Sequence, residues 1–344
     1  MNHAHTPTPD LSRRSILGGA AALAGASLLP TSVRAHVHAQ PAPASPSASA
    51  ARLHRLAHLT DTHVNGEREA VKGVAQALAH AQSLAEKPEM ILTGGDLIMD
   101  SMARDEAGVR AQWDLFTRVL KDHCSLPVRH CLGNHDVWGW DKAKSKSTGD
   151  EPRWGKRWAV EELGLTGAYH AFDLHTPSTS GPRSVPGPWR VIVLDSTFPS
   201  GSSYIARLDD EQHAWLESEL ASLAPDRHAL IVSHIPIVTA TALFEKREPI
   251  NTGRAIPDSW MHVDAQRLRT LFLKHPQVRA CVSGHMHLVD RVDLDGVRYF
   301  CNGAVSGNWW KGRHQTCDEG YATLDLFADG TVERTYHTFG WQAR

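Results

Sequence analysis

An α/β fold built from two packed sheets is predicted by three features of this 344-residue sequence. Strand-like and helix-like runs alternate through the first half, which calls for parallel strands under helical cover. The last quarter reads as strands joined by Asp-Gly turns, the pattern of antiparallel hairpins. Five short fragments rich in Asp, His and Asn each end a strand-like run, and sheets of this type bind their ligands at the carboxyl ends of strands.

Composition is that of an ordinary globular protein, 41% hydrophobic and 22% charged. The net charge of −2 offers no basic excess for a nucleic acid polymer and no acidic tail. The five cysteines are odd in number and form no Cys-x-x-Cys, which excludes a cysteine-based zinc site. Cys124 and Cys131 are the one pair close in sequence, and their pairing is left open.

The elements follow in order. Residues 1–35 read as a twin-arginine signal peptide: Ser12-Arg13-Arg14-Ser15 precedes an uncharged Ala/Gly/Leu run at 16–29, and Val33-x-Ala35 offers a small-residue cleavage site. The run falls short of the roughly 20 residues of a membrane span, although an uncleaved anchor helix is the alternative. Such a leader implies the twin-arginine translocase as partner, no stable membrane span after its removal, and a periplasmic or secreted location. Residues 36–52 form a Pro/Ala/Ser-rich linker, and 53–344 form the folded domain. Strands are expected at 55–60, 90–93 and 126–132, with helices at 70–86 and 109–120 between them. The polar stretch 141–157 lacks periodicity and reads as a long loop, followed by a short helix at 158–163. Strands at 169–174, 189–195 and 229–233 frame a helix at 209–223, whose opening Asp209-Asp210-Glu211 suits the helix dipole. A helix at 264–275 and strands at 278–283, 289–294, 297–301, 321–327 and 332–337 complete the chain.

The chemistry lies in Asp61-x-His63, Gly95-Asp96, Gly133-Asn134-His135-Asp136, His234 and Gly284-His285-x-His287. Singly, each has an ordinary reading: Gly, Asn and Asp are common turn residues, Asp61 suits a helix cap, and His234 a buried structural histidine. Together, the candidate ligands Asp61, His63, Asp96, Asn134, His234, His285 and His287 exceed what one first-row ion needs. Two ions sharing one carboxylate use them fully, and Asp96 is the expected bridge because Gly95 lets the backbone come close. Imidazole and carboxylate ligands suit Zn, Fe, Mn or Ni, of which Mn, Zn or Fe is expected here. A pair of ions about 3.5–4 Å apart activates a bridging hydroxide for in-line attack on phosphorus. His135 stands beside a ligand, free to protonate the departing oxygen, with Asp136 expected to orient it.

These fragments, in this order, resemble the calcineurin-like metallophosphoesterase family over nearly all of residues 55–327. The resemblance implies an α/β/β/α sandwich, a dinuclear centre, and hydrolysis of phosphate monoesters or diesters. It places one ion on Asp61, His63, Asp96 and His287, and the other on Asp96, Asn134, His234 and His285. His135 becomes the acid or transition-state stabiliser. Purple acid phosphatases carry a tyrosine three residues after the bridging aspartate; here that position is Met99, which argues against a ferric–tyrosinate centre.

The expected activity is therefore an exported phosphodiesterase acting on a small phosphoester. A phosphomonoesterase or nucleotidase on the same scaffold and a non-catalytic partner-binding module are the alternatives. Trp138, Trp140, Trp309, Trp310 and Lys311 are the candidate substrate-binding residues, read as aromatic walls with a cation; core packing is the competing reading for the tryptophans. The loop 246–254 carries Lys246, Arg247 and Arg254 and is either a lid or a solvated surface run.

Overall fold

The computed structural model describes residues 50–177, 184–244 and 255–343. The leader at 1–35, most of the linker at 36–52, and the loop 246–254 lie outside the described residues.

From the first strand the chain alternates as expected: β1 (Arg52–Leu59), α1 (Ala70–Ser83), β2 (Met90–Gly94), α2 (Glu106–His123) and β3 (Val128–Cys131). Two short helices follow, α3 (Lys142–Ser145) and α4 (Arg157–Glu162), and then β4 (His170–Pro177) and β5 (Ser184–Leu194). The hairpin β6 (Thr197–Ser200) and β7 (Ser203–Ala206) was not anticipated; its strands are four residues each, too short to show a period. The remainder is α5 (Asp210–Ala221), β8 (His228–Ser233), α6 (Ala265–Lys274), β9 (Val278–Ser283), β10 (Val289–Leu294), β11 (Val297–Asn302), β12 (Gly320–Phe327) and β13 (Val332–Thr338).

One sheet has the order β13-β12-β1-β2-β3 and the other β10-β11-β9-β8-β5-β4. Strands β1, β2 and β3 are parallel, as are β5, β8, β9 and β11. The late strands β12 and β13 add to the first sheet antiparallel, and β10 closes one edge of the second. Alternation of side chains along β1 explains the layering. Leu56 points into the core between the sheets with Leu92, Val191, Val232 and Phe300, whereas Ala57 and Leu59 face α1 and α2. On the far side, α5 and α6 cover Ile192, Ile231 and Cys281 through Leu216, Leu220, Leu268 and Phe272. The result is the α/β/β/α sandwich. Each large side chain buried there contributes about 1.5–3 kcal/mol.

Helix ends follow the local chemistry. Asp105 caps α2 by accepting from the Gly108 amide at 3.1 Å, and Asp209 caps α5 by accepting from Gln212 at 2.7 Å. The five cysteines are all free, so Cys124 and Cys131 are not bridged. No helix among the described residues is long and apolar enough to cross a membrane.

The stretch 141–157 is not the open loop expected from its composition. Trp138 and Gly155 exchange backbone hydrogen bonds of 3.0 and 2.8 Å, and Trp138 packs edge-on against Trp158 with centroids 4.9 Å apart. Trp140 is also buried, with the Lys156 ammonium 5.5 Å from its ring. These two tryptophans anchor the loop as core residues and do not wall the pocket.

Candidate dinuclear metal site

All five polar fragments leave the carboxyl ends of parallel strands: Asp61 and His63 after β1, Asp96 after β2, Asn134 after β3, His234 after β8, and His285 and His287 after β9. The sandwich brings the ends of the two sheets together, so loops distant in sequence meet. The loops after β1 and β2 stay paired beyond their strands, with Asp61 donating to Gly95 at 2.9 Å and His63 to Asp96 at 3.0 Å.

Two donor clusters result. In one, His287 Nε2 lies 3.2 Å from Asp61 Oδ1 and 3.1 Å from His63 Nε2. In the other, His234 Nε2 lies 3.2 Å from Asp96 Oδ2 and 3.2 Å from Asn134 Oδ1, with His285 alongside. The Asp96 carboxylate joins them, since Oδ2 is also 3.7 Å from His63 Nε2. Gly133 is required here by close approach: a Cβ on it would lie 2.2 Å from Asp96 Oδ1.

Backbone strain marks the same residues. Asp61, His63, Asp96, His285 and His287 all have left-handed backbone, with φ of 56°, 41°, 52°, 67° and 54°. Such conformations cost of order 1–3 kcal/mol each and cluster where function demands them.

The proton inventory fits two cations. His234 Nδ1 is 2.7 Å from the Gly94 carbonyl, which only accepts, so Nδ1 carries the proton. Its Nε2 then faces the Asp96 and Asn134 oxygens, and presents a lone pair to a metal once its own proton leaves. His287 is held the same way by the Gly307 carbonyl, leaving Nε2 toward Asp61 and His63. Lone pairs converging without a proton repel one another unless a cation sits among them, and a backbone acceptor on the far nitrogen is the usual support for a ligating histidine. In the metal-free chain a proton takes the place of such a cation. Burial pushes His234 down, but the Asp96 and Asp61 carboxylates overcome it and raise the imidazole to about 9. Burial likewise works against the charged form of Asp96, yet His234 and His135 hold it well below the usual carboxylate range.

His135 and Asp136 share a short 3₁₀ turn, Asn134–Asp136, and face opposite ways. His135 Nδ1 bonds the Met99 carbonyl, and Nε2 faces the pocket 3.9 Å from Asp96 Oδ2. Asp136 does not orient that ring. Its buried carboxylate accepts from Leu97 and Gly133 amides at 2.8 Å each, tying the loop after β2 to the loop after β3. Burial and the nearby Asp96 push its carboxyl up to about 7.

The pocket over the clusters measures about 200 Å³ and is walled by Trp309, Tyr204, Trp260, Met286 and His314. Trp309 leans on the His287 ring with centroids 4.5 Å apart. Trp310 was expected to share that wall but is buried, 1% exposed, and donates from Nε1 to the Thr62 carbonyl at 3.0 Å. It packs so closely on α1 that a Cβ at Gly73 would fall 2.1 Å from its ring. Lys311 is exposed and does not line the pocket. Tyr204, Trp260 and His314 were not found from the sequence. Tyr204 sits on the unanticipated hairpin, and the other two belong to no motif.

The calcineurin-like phosphoesterase family matches residues 54–289, and the chain belongs to that family. It is a metal-dependent phosphoric ester hydrolase. It is 25% identical over 306 residues to the 3',5'-cyclic adenosine monophosphate phosphodiesterase CpdA of Escherichia coli K12, covering 85% of this chain and 92% of that protein. It is 24% identical over 241 residues to the probable glycerophosphodiester phosphodiesterase GpdQ of Arcobacter nitrofigilis, covering 68% and 72%. Among solved structures, a dimetal phosphatase from Danio rerio shares the fold, with a TM-score of 0.54 and 15% identity over 84% of this chain and 100% of that one.

Proposed function

We propose that the chain is an exported phosphodiesterase with two metal ions, drawn from Mn, Zn and Fe. Asp61, His63, Asp96 and His287 hold one ion, and Asp96, Asn134, His234 and His285 hold the other. The observation that carries this reading is the Asp96 carboxylate, whose one oxygen faces His63 and His234 across both clusters. When bound, the ions supply Lewis-acid polarisation of the phosphoryl oxygens and an activated nucleophile at neutral pH.

The chain's own residues do the rest. His135 delivers a proton from Nε2 to the leaving oxygen, while the Met99 carbonyl holds its Nδ1–H and fixes the ring. The acid form is therefore the imidazolium. Trp309, Tyr204 and Trp260 close the sides of the pocket. Asp136 acts at one remove by clipping two of the ligand loops together.

Two observations support a diester over a monoester. The relatives above are named as phosphodiesterases. Among the described residues lining the pocket there is no Lys or Arg to clamp a dianionic phosphate end. Export rests on the leader at residues 1–35, with 36–52 as a tether, and implies the twin-arginine translocase and a periplasmic or secreted location. Mature protein stripped of metal and assayed with Mn, Zn or Fe tests the chemistry. Turnover of bis-nitrophenyl phosphate above nitrophenyl phosphate is expected; the reverse preference establishes the phosphomonoesterase alternative. Cell fractionation tests the location, with accumulation of full-length protein in the cytoplasm as the contrary result.

A further inference from the structure

The two carboxylate oxygens of Asp61 are not equivalent. Oδ1 is the one nearer the imidazoles, 3.2 Å from His287 Nε2 and 3.8 Å from His63 Nε2. The backbone does not choose between the two, because the His285 amide lies 3.1 Å from Oδ1 and 3.0 Å from Oδ2. The neighbour in sequence does choose. Thr60 Oγ1 donates to Oδ2 at 2.5 Å. A hydroxyl on a carboxylate typically sits at about 2.5–2.7 Å, and such a bond is roughly twice as strong as one between neutral groups.

The seat of that hydroxyl is closed. Thr60 is the first residue beyond β1 and is fully buried. A Cβ on Gly284 would lie 1.9 Å from Thr60 Oγ1, and one on Gly94 would lie 2.5 Å from Thr60 Cβ. The backbone is held as well, with Val305 donating to the Thr60 carbonyl at 2.9 Å and Ser306 to the Asp61 carbonyl at 3.2 Å. Close packing and a fixed backbone leave the hydroxyl against Oδ2.

Asp96 is arranged alike with a backbone donor. Its Oδ1 accepts from the His135 amide at 2.8 Å, while Oδ2 faces His63 and His234. In both carboxylates one oxygen is tied down and the other is left to the clusters. At Asp61 the tie is a side chain, so it can be removed alone.

We propose that Thr60 is a positioning residue whose hydroxyl holds Asp61 Oδ2, so that Asp61 offers Oδ1 alone to the ion of the His63–His287 cluster. Without the hydroxyl, a single amide serves both oxygens equally and the carboxylate is no longer set. The inference rests on the dinuclear reading above and adds the residue that decides how one ligand is presented.

The test titrates the metal-free full chain with zinc against a competing chelator and reads a dissociation constant for each ion. Thr60→Val keeps the shape and removes the donor. It is expected to weaken one ion about 10–100-fold, the usual effect of losing a group that supports a ligand, and to leave the other unchanged. Thr60→Ser restores the hydroxyl and is expected to bring the weakened constant back. Melting of the metal-free proteins shows that each variant folds, and Thr60→Ala carries the same expectation if valine does not. Thr93→Val is the control, since that buried hydroxyl meets His130 at 3.1 Å and no ligand. Wild-type constants for both ions in the valine or alanine variant overturn the proposal. So does a serine variant as weak as valine, or an equal loss in Thr93→Val. A wild-type chain that binds fewer than two zinc ions overturns the dinuclear reading itself, and the inference with it.

Discussion

His135 and Asp136 are adjacent in the chain and do unrelated work. His135 presents Nε2 to the pocket from a ring pinned at Met99. His135→Ala is expected to retain metal and lose roughly 10²–10⁴ in rate on an alkyl leaving group. The loss shrinks with nitrophenolate, which departs without a proton. Kinetics across a leaving-group series check this, and an equal loss throughout argues against the acid. Asp136→Ala instead leaves the Leu97 and Gly133 amides without their buried acceptor, at about 1–3 kcal/mol each. Its expected signature is a lower Tm with reduced metal content. The difference between these neighbours was not legible in the sequence, because a tight turn sends successive side chains in directions only the surrounding loops define. The clustering of the proposed ligands was legible because each of their fragments follows a strand-like run. Tyr204, Trp260 and His314 reach the same pocket from segments with no such announcement.

At the scale of elements, Trp309 and Trp310 show how one position decides between wall and core. Trp310 bonds the loop after β1 and lies on α1, so Trp310→Ala is expected to cost about 3–5 kcal/mol of stability, read by denaturant melting. Trp309→Ala is expected to melt nearly as the wild type and to raise KM. A dipeptide of two tryptophans carries no sign of which ring turns inward; the small residue at Gly73 was the complementary clue. The second sheet has its own brace. Ser233 Oγ lies 3.1 Å from His262 Nε2, His262 Nδ1 lies 2.9 Å from Asp264 Oδ1, and His213 Nε2 lies 2.7 Å from Asp264 Oδ2. The chain of bonds ties the end of β8 to α5 and to the start of α6. Burial works to raise the Asp264 carboxyl, but hydrogen bonds from His213 and His262 outweigh it and hold the group well below its usual range. A depressed carboxyl stabilises the fold above the unfolded value near 3.9 and loses that contribution as pH falls. Asp264→Asn is thus expected to lower stability by about 1–3 kcal/mol at pH 7. The gap from wild type narrows below about pH 4, as thermal melts of the metal-free proteins will show.

For the whole molecule, the sandwich is a device for aiming strand ends at one another. Three loops from the first sheet and two from the second supply the donors, and neither sheet alone holds a complete set for either cluster. This architecture was legible because alternating strands and helices followed by hairpins admit few arrangements. The short hairpin of β6 and β7 and the packing of residues 141–157 were not, since each depends on tertiary contacts made by Tyr204, Trp138 and Trp140. The central claim is that Asp96 joins two ions into one catalytic centre. The direct measurement is metal content per chain alongside diester turnover for the wild type and Asp96→Asn, after identical metal loading. The account predicts about two ions per wild-type chain, with metal and turnover lost together in the variant. Retention of both ions with full activity in Asp96→Asn would contradict it.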